Sequence, residues 1–157
     1  LVFSTLHTND ATTAITRLLE LGAPAYLINA TLLGVLAQRL VRMLCPHCKQ
    51  PGELDGEAWR RLTQPWNIAK PTSAFFPKGC LECRNTGYYG RIGIYEMLTV
   101  TPALRKQIRP ESDVATLRAQ CLKDGMQPLR LSGARKVGAG LTTIEEILKV
   151  APPPEES

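Results

Sequence analysis

Two cysteine pairs carry the strongest chemistry in this chain, Cys45-Pro46-His47-Cys48 and Cys80-Leu81-Glu82-Cys83. A C-x-x-C turn presents two thiolates from one tight loop, and a soft tetrahedral ion such as Zn²⁺ takes four, so two such turns complete one closed site. Cys45, Cys48, Cys80 and Cys83 are therefore the expected ligands, and residues 49–79 become a loop closed by metal. Other readings use the same residues. A C-x-x-C can be a redox pair, although that motif belongs at a helix start within a βαβ unit and neither pair has that setting. The thiols can also be buried separately. His47 could replace a cysteine as ligand, but it lies between two better ones and reads as an exposed histidine on the knuckle. The fifth cysteine, Cys121, follows Val114 and Leu117 at i, i+3, i+7 spacing, which puts it on the apolar face of a helix.

Chemistry is also missing. The chain holds no G-x-x-x-x-G-K-[ST] loop to cradle β- and γ-phosphates, and no acidic Walker B segment to organise Mg²⁺ and water. On its own it is not expected to hydrolyse a nucleotide.

The composition is that of a folded protein, with 44% apolar and 21% charged residues in 157, enough for one core or two small modules. The longest apolar stretch, Ala23 to Leu36, is broken by Pro24, Asn29, Thr31 and Gly34, so no membrane span is expected. No export signal is visible, and paired C-x-x-C motifs without one favour a reducing cytoplasm. The formal charge is +5 with cysteines neutral, and four thiolates around one divalent ion would lower it by two. Such mild basicity gives little support to nucleic-acid binding.

Elements must hold these residues. Leu1 to Thr5 reads as a buried parallel strand with nothing ahead of it, which suggests a piece of a larger protein. The polar turn Leu6-His7-Thr8-Asn9-Asp10 offers N-caps for an amphipathic helix over 11–21, closed by Gly22. Pro24 opens a second helix to about Leu33, with Gly34 loosening or ending it. Residues 35–44 fit either a longer helix or a strand, and the strand is favoured because it can pair with 91–98 around the cysteine module. Residues 49–79 are rich in Pro and Gly, with a short helix around 57–62, and metal more than core is expected to hold them. Further helices are expected over 102–108, 113–125 and 128–137. Thr142 and Thr143, each with a glutamate three residues on, cap a last one over 144–150. The tail, 151–157, reads as frayed.

With the motifs in place, the chain resembles a known family. Leu1-Val-Phe-Ser-Thr-Leu-His7-Thr-Asn-Asp10, Leu33-Gly-Val-Leu-Ala-Gln-Arg-Leu-Val-Arg42, Leu44-Cys-Pro-His-Cys-Lys49 and Gly87-Tyr-Tyr-Gly-Arg91-Ile-Gly-Ile-Tyr-Glu96 are similar to the type II secretion and type IV pilus assembly ATPases, the GspE/PilB family. Gly125-Met126, Gly133-Ala-Arg-Lys136 and Gly140-Leu-Thr-Thr-Ile-Glu-Glu146 extend the likeness to about residue 150.

The resemblance implies an α/β fold: the C-terminal portion of a RecA-like P-loop ATPase domain, with an inserted four-cysteine zinc module and a C-terminal helical segment. Residues 1–44 would complete the RecA-like core, 45–83 form the zinc module, 84–150 supply the return strand and helical subdomain, and 151–157 the tail. It implies that His7 faces the nucleotide phosphates, where an imidazole at a strand's carboxyl end can donate a hydrogen bond, and that Arg91 approaches bound nucleotide. Without it His7 reads as a turn-capping residue and Arg91 as an exposed strand residue. Arg39 and Arg42 have opposite strand parity and receive no role beyond a subunit contact. The whole motor would be a cytoplasmic homo-hexamer using ATP and Mg²⁺, working with inner-membrane platform proteins and without nucleic acid. The readings from other classes are a free-standing zinc-ribbon interaction module and a thiol oxidoreductase.

Overall fold

In the computed structural model residues 1–153 are described, so the tail expectation falls outside the described residues from 154 onward; within it, Ala151 is not frayed but buried in the second unit's core, its N–H bonded to the Ile147 carbonyl. The chain is mixed α/β. Its elements are α1 (Ala11–Glu20), α2 (Ala25–Thr31), β1 (Gly34–Leu44), β2 (Gln50–Gly52), α3 (Gly56–Thr63), β3 (Ala74–Phe76), β4 (Tyr88–Thr99), α4 (Pro102–Arg105), α5 (Val114–Lys123), α6 (Leu129–Gly138) and α7 (Ile144–Val150). They divide into two compact units, Leu1–Gln38 with Tyr95–Pro128, and Arg39–Ile94 with Leu129 onward.

Residues 35–44 form a strand, as favoured, and β1 pairs with β4 in a two-stranded sheet. Gly34 starts this strand. A Cβ there would stand 2.7 Å from the Leu98 carbonyl oxygen, so glycine is what lets the two backbones close up. The alternation at the end of β4 is strict: Glu96 and Leu98, and Val100 just beyond the strand, are buried, whereas Tyr95, Met97 and Thr99 are exposed.

In the first unit, α1 begins where Asp10 Oδ1 accepts the Thr13 N–H at 2.8 Å. It ends at Gly22, whose φ of 87° lets the Gly22 and Ala23 N–H groups return to the Leu19 and Leu18 carbonyls. Thr101 caps α4 and Asp113 caps α5 in the same way. The apolar faces of these helices meet in a core of Ala11, Ile15, Ile28, Leu98, Leu104, Ile108, Leu117 and Cys121. Each fully buried aliphatic side chain contributes about 1.5–3 kcal/mol relative to an exposed one.

Two expectations are corrected here. Residues 1–8 have no regular structure, and Leu1, Val2 and Phe3 are 93, 89 and 88% exposed, so Leu1 to Thr5 is not a buried strand. A strand needs a neighbour for its N–H and C=O groups, and neither sheet among the described residues includes this segment.

The second correction concerns residues 49–79, which a core holds after all. In the second unit β2 and β3 pair antiparallel, Gln50 opposite Phe76, and Asp55 caps α3 by accepting from the Glu57 and Ala58 N–H groups. Leu54, Trp59, Leu62 and Ala74 pack with Leu129, Ala134, Val137, Ile144 and Ile147 of α6 and α7. The few large apolar residues in this Pro/Gly-rich stretch are spaced to share one face, which bulk composition concealed. Arg130, almost wholly buried, donates to the carbonyls of Arg61, Leu62 and Gln64 and so closes the C-terminal end of α3.

Candidate metal centre and the residues around it

The two knuckles are built by backbone turns that leave every sulfur facing inward. In the first, just after β1, the Lys49 N–H returns to the Cys45 carbonyl at 3.0 Å, and the Cys45 N–H is held by the Gly87 carbonyl at 2.9 Å. In the second, Arg84 and Asn85 take φ values of 53° and 60°, and the Asn85 N–H bonds back to the Cys80 carbonyl at 2.8 Å. Gly87, at φ 77°, then turns the chain into β4, and a side chain there would collide with Pro77.

The four sulfurs lie within 4.8 Å of one another. Cys45 to Cys80 is 3.9 Å, Cys48 to Cys83 is 3.8 Å and Cys80 to Cys83 is 3.7 Å. A disulfide needs about 2.05 Å between sulfurs, whereas a tetrahedron with metal–sulfur bonds of about 2.3 Å has edges near ~3.8 Å. The spacing therefore fits one tetrahedral ion and is consistent with zinc. Among the described residues this is the cluster of Cys, His and acidic side chains that could hold a metal.

Backbone N–H groups surround the sulfurs. Gly79 donates to Cys48 at 3.3 Å, and Cys80 and Gly87 donate to Cys83 at 3.2 Å each. Burial opposes ionisation at Cys83, but the Cys80 and Gly87 N–H donors, with the Cys80 and Cys48 thiols, bring its pKa down to about 6. Such donors stabilise negative sulfur, which is the state a metal requires. His47 is exposed on the knuckle surface. Cys121 is buried in the other unit, where burial pushes its thiol up to about 11 and leaves it inert.

His7 lies in the irregular segment before α1 and is exposed, and Arg91 is exposed on β4. Below His7 the chain is fastened firmly: Thr8 Oγ1 donates to the Asp10 carbonyl at 3.1 Å, and Asp10 caps α1.

Across residues 1–149 the chain matches the family model described as type II/IV secretion system protein. The chain belongs to that family. Relatives in the type II/IV secretion family include the type IV pilus assembly ATPase TfpB of Acinetobacter baylyi, 51% identical over 97% of this chain and 26% of the relative. The type II secretion system protein E of Klebsiella pneumoniae is 42% identical over 98% of this chain and 30% of the relative. The type IV pilus assembly ATPase PilB of Pseudomonas aeruginosa is 40% identical over 96% and 26%. The chain thus spans roughly a quarter to three tenths of the length of these curated relatives.

Two polar assemblies of this secretion-family chain were missed by sequence reasoning. Arg42, left without a role, grips Glu146 with two guanidinium bonds of 3.1 and 2.7 Å and stacks 4.1 Å over the Tyr88 ring. The sequence marks Glu146 only as a capping-box residue. Glu96 is buried on β4 and accepts the Ala11 N–H at 3.0 Å. A signal existed for Glu96: it interrupts the inward apolar series Ile94, Leu98, Val100 with a charge.

Proposed function

We propose that this chain is part of the ATPase motor of a type II secretion or type IV pilus assembly machine. The supporting observation is the family match over residues 1–149 together with relatives named as type IV pilus assembly ATPases and a relative named type II secretion system protein E. In this reading residues 1–44 complete a RecA-like core, residues 45–83 are a zinc module inserted between β1 and β4, and residues 84–150 carry the return strand and helical subdomain. The motor is a homo-hexamer that couples ATP and Mg²⁺ to protein secretion or pilin polymerisation, on the cytoplasmic side of inner-membrane platform proteins and without nucleic acid. No helix of the described residues is long and apolar enough to cross a membrane.

The division of labour follows from residue chemistry. With no phosphate-cradling loop or Walker B carboxylate in the sequence, nucleotide anchoring and Mg²⁺ binding fall to other parts of the motor. This chain supplies His7, as a phosphate-directed hydrogen-bond donor, and Arg91, as a second contact to nucleotide. Cys45, Cys48, Cys80 and Cys83 hold Zn²⁺, which when bound fixes the end of β1 against the start of β4.

The test is a chimera in which this chain replaces the corresponding region of the Acinetobacter baylyi pilus assembly ATPase. ATP turnover within about tenfold of the parent is expected, since half the positions are already identical. A well-folded chimera of normal assembly state that hydrolyses no ATP would refute the motor reading.

A further inference from the structure

Asp10, Glu96 and Arg118 come from a turn, a strand and a helix, and they converge on the first turn of α1. Glu96 is 1% exposed. Its Oε1 accepts the Ala11 N–H at 3.0 Å, and its Oε2 lies 3.7 Å from Arg118 Nη2. Arg118 Nη1 lies 3.4 Å from Asp10 Oδ2, while Asp10 Oδ1 accepts from Thr13 N and Thr13 Oγ1 at 2.8 Å each. Asp10 therefore serves α1 with one oxygen and α5 with the other.

The choice of a carboxylate at position 96 calls for an explanation. Packing alone would be met by an aliphatic residue, as at Leu98 on the same face of β4. Burying an ionised carboxylate is costly unless charge and N–H donors meet it, and both do here: a guanidinium on one side, the N-terminal N–H of a helix on the other. What this arrangement secures is the position of Ala11, and with it the turn that begins at His7. His7 is exposed in a segment without regular structure, so its placement depends on where the chain next becomes fixed. That point is Thr8 to Ala11, tied by Thr8 to the Asp10 carbonyl, by Asp10 to Arg118 and by Ala11 to Glu96.

We propose that Glu96 and Arg118 are positioning residues for His7, and that they connect the His7 turn to helix α5. The proposal rests on the reading of His7 as phosphate-facing. A shift of the turn on nucleotide binding is then felt at Arg118, whose guanidinium lies against both Asp10 and Glu96. Displacement of α5 moves His7 by the same connection.

The chain contains two histidines, so the His7 imidazole can be followed by NMR with His47 as an internal reference. In Glu96→Gln and Arg118→Gln the Ala11 amide should exchange at least about tenfold faster and the His7 resonances should move, while His47 and the amides inside α5 stay as they were. Should Glu96→Gln fail to fold, Arg118→Lys keeps the charge, loses the two-pronged reach and carries the same expectation. Unchanged His7 and Ala11 signals in a folded variant would overturn the proposal.

Turnover in a full-length motor carrying this chain gives a second arm. If Glu96 works through His7, the double variant His7→Ala/Glu96→Gln should be no slower than the slower single variant, whereas losses that multiply would overturn it. If His7→Ala alone leaves turnover intact, the phosphate-facing reading fails, and the NMR arm alone decides whether the connection exists.

Discussion

Arg42 and Glu146, 104 positions apart, form a two-pronged ion pair in which one carboxylate also accepts the Arg42 backbone N–H and the Lys149 ammonium. It joins the last residues of β1 to the first turn of α7, beside Thr143, which caps that helix and meets the Tyr88 hydroxyl at 3.2 Å. The Arg42 guanidinium holds the Glu146 carboxyl down at about 2 against the opposing effect of burial. A carboxylate depressed in the folded state adds stability above its unfolded pKa, and that stability is lost as pH falls through the folded value. The contribution of this pair should be complete above about 4.5 and fade toward about 2. Arg42 is 47% exposed, so solvent screening reduces its share. Glu146→Gln should cost about 1–3 kcal/mol at pH 7 and almost nothing at pH 2, measured by urea unfolding. An equal cost at both pH values would exclude the ion pair as the source.

One tightly held Zn²⁺ per chain is expected from elemental analysis of protein purified without added metal. Cys80→Ser should release it and increase exchange of the amides of Gly79, Cys80 and Gly87, whose N–H groups point at sulfur. Metal-free protein with the same protection at those three amides would contradict the assignment.

Metal removal and core truncation should separate in the second unit. Leu62 is fully buried and Trp59 nearly so, which ties α3 to α6 and α7 independently of the cysteines. Leu62→Ala should cost about 2–5 kcal/mol whether or not the site is loaded. Chelation should leave the circular dichroism of α3, α6 and α7 largely intact. Collapse of all three helices on chelation would restore the view that metal more than core organises residues 49–79.

In a full-length motor carrying this chain, His7→Ala should lower the ATPase rate by about tenfold or more, as expected for the loss of one phosphate-directed hydrogen bond in a water-poor site. Zinc content and assembly state should be unaffected. Normal turnover would return His7 to the role of a turn residue.

Local chemistry was the readable part of this sequence. The polar turn 6–10 was readable as a source of N-caps and Thr143 as a capping residue, and Asp10 and Thr143 each accept from the helix they start. The cysteine spacing was enough to predict the cluster. The first five residues failed because a strand is a property of a pair: Leu1 to Thr5 has the right side chains, but its backbone meets no neighbour among the described residues. Residues 49–79 failed for the opposite reason. Trp59 and Leu62 look sparse within their own segment, and their burial is decided by α6 and α7, far along the chain. Arg42 and Glu146 were invisible as a pair because nothing local links a strand-end arginine to a capping-box glutamate.

The position of the cysteines also bears on how quickly this fold assembles. Cys45 follows β1 directly and the second knuckle leads into β4, with Cys45 and Cys80 35 positions apart. Bringing the two strands together in a bare chain means closing that loop before any ladder bond rewards it, an entropic cost of about 3–4 kcal/mol by analogy with a cross-link of similar span. An ion captured by the four thiolates in the unfolded chain would close the loop first and place the strand ends side by side. Pairing would then zip outward from the site as in a hairpin, making a long-range contact kinetically local. Metal supply during synthesis would govern the folding rate of this chain, and with it the time an unpaired β4 is open to wrong partners, even under conditions where the finished fold tolerates chelation.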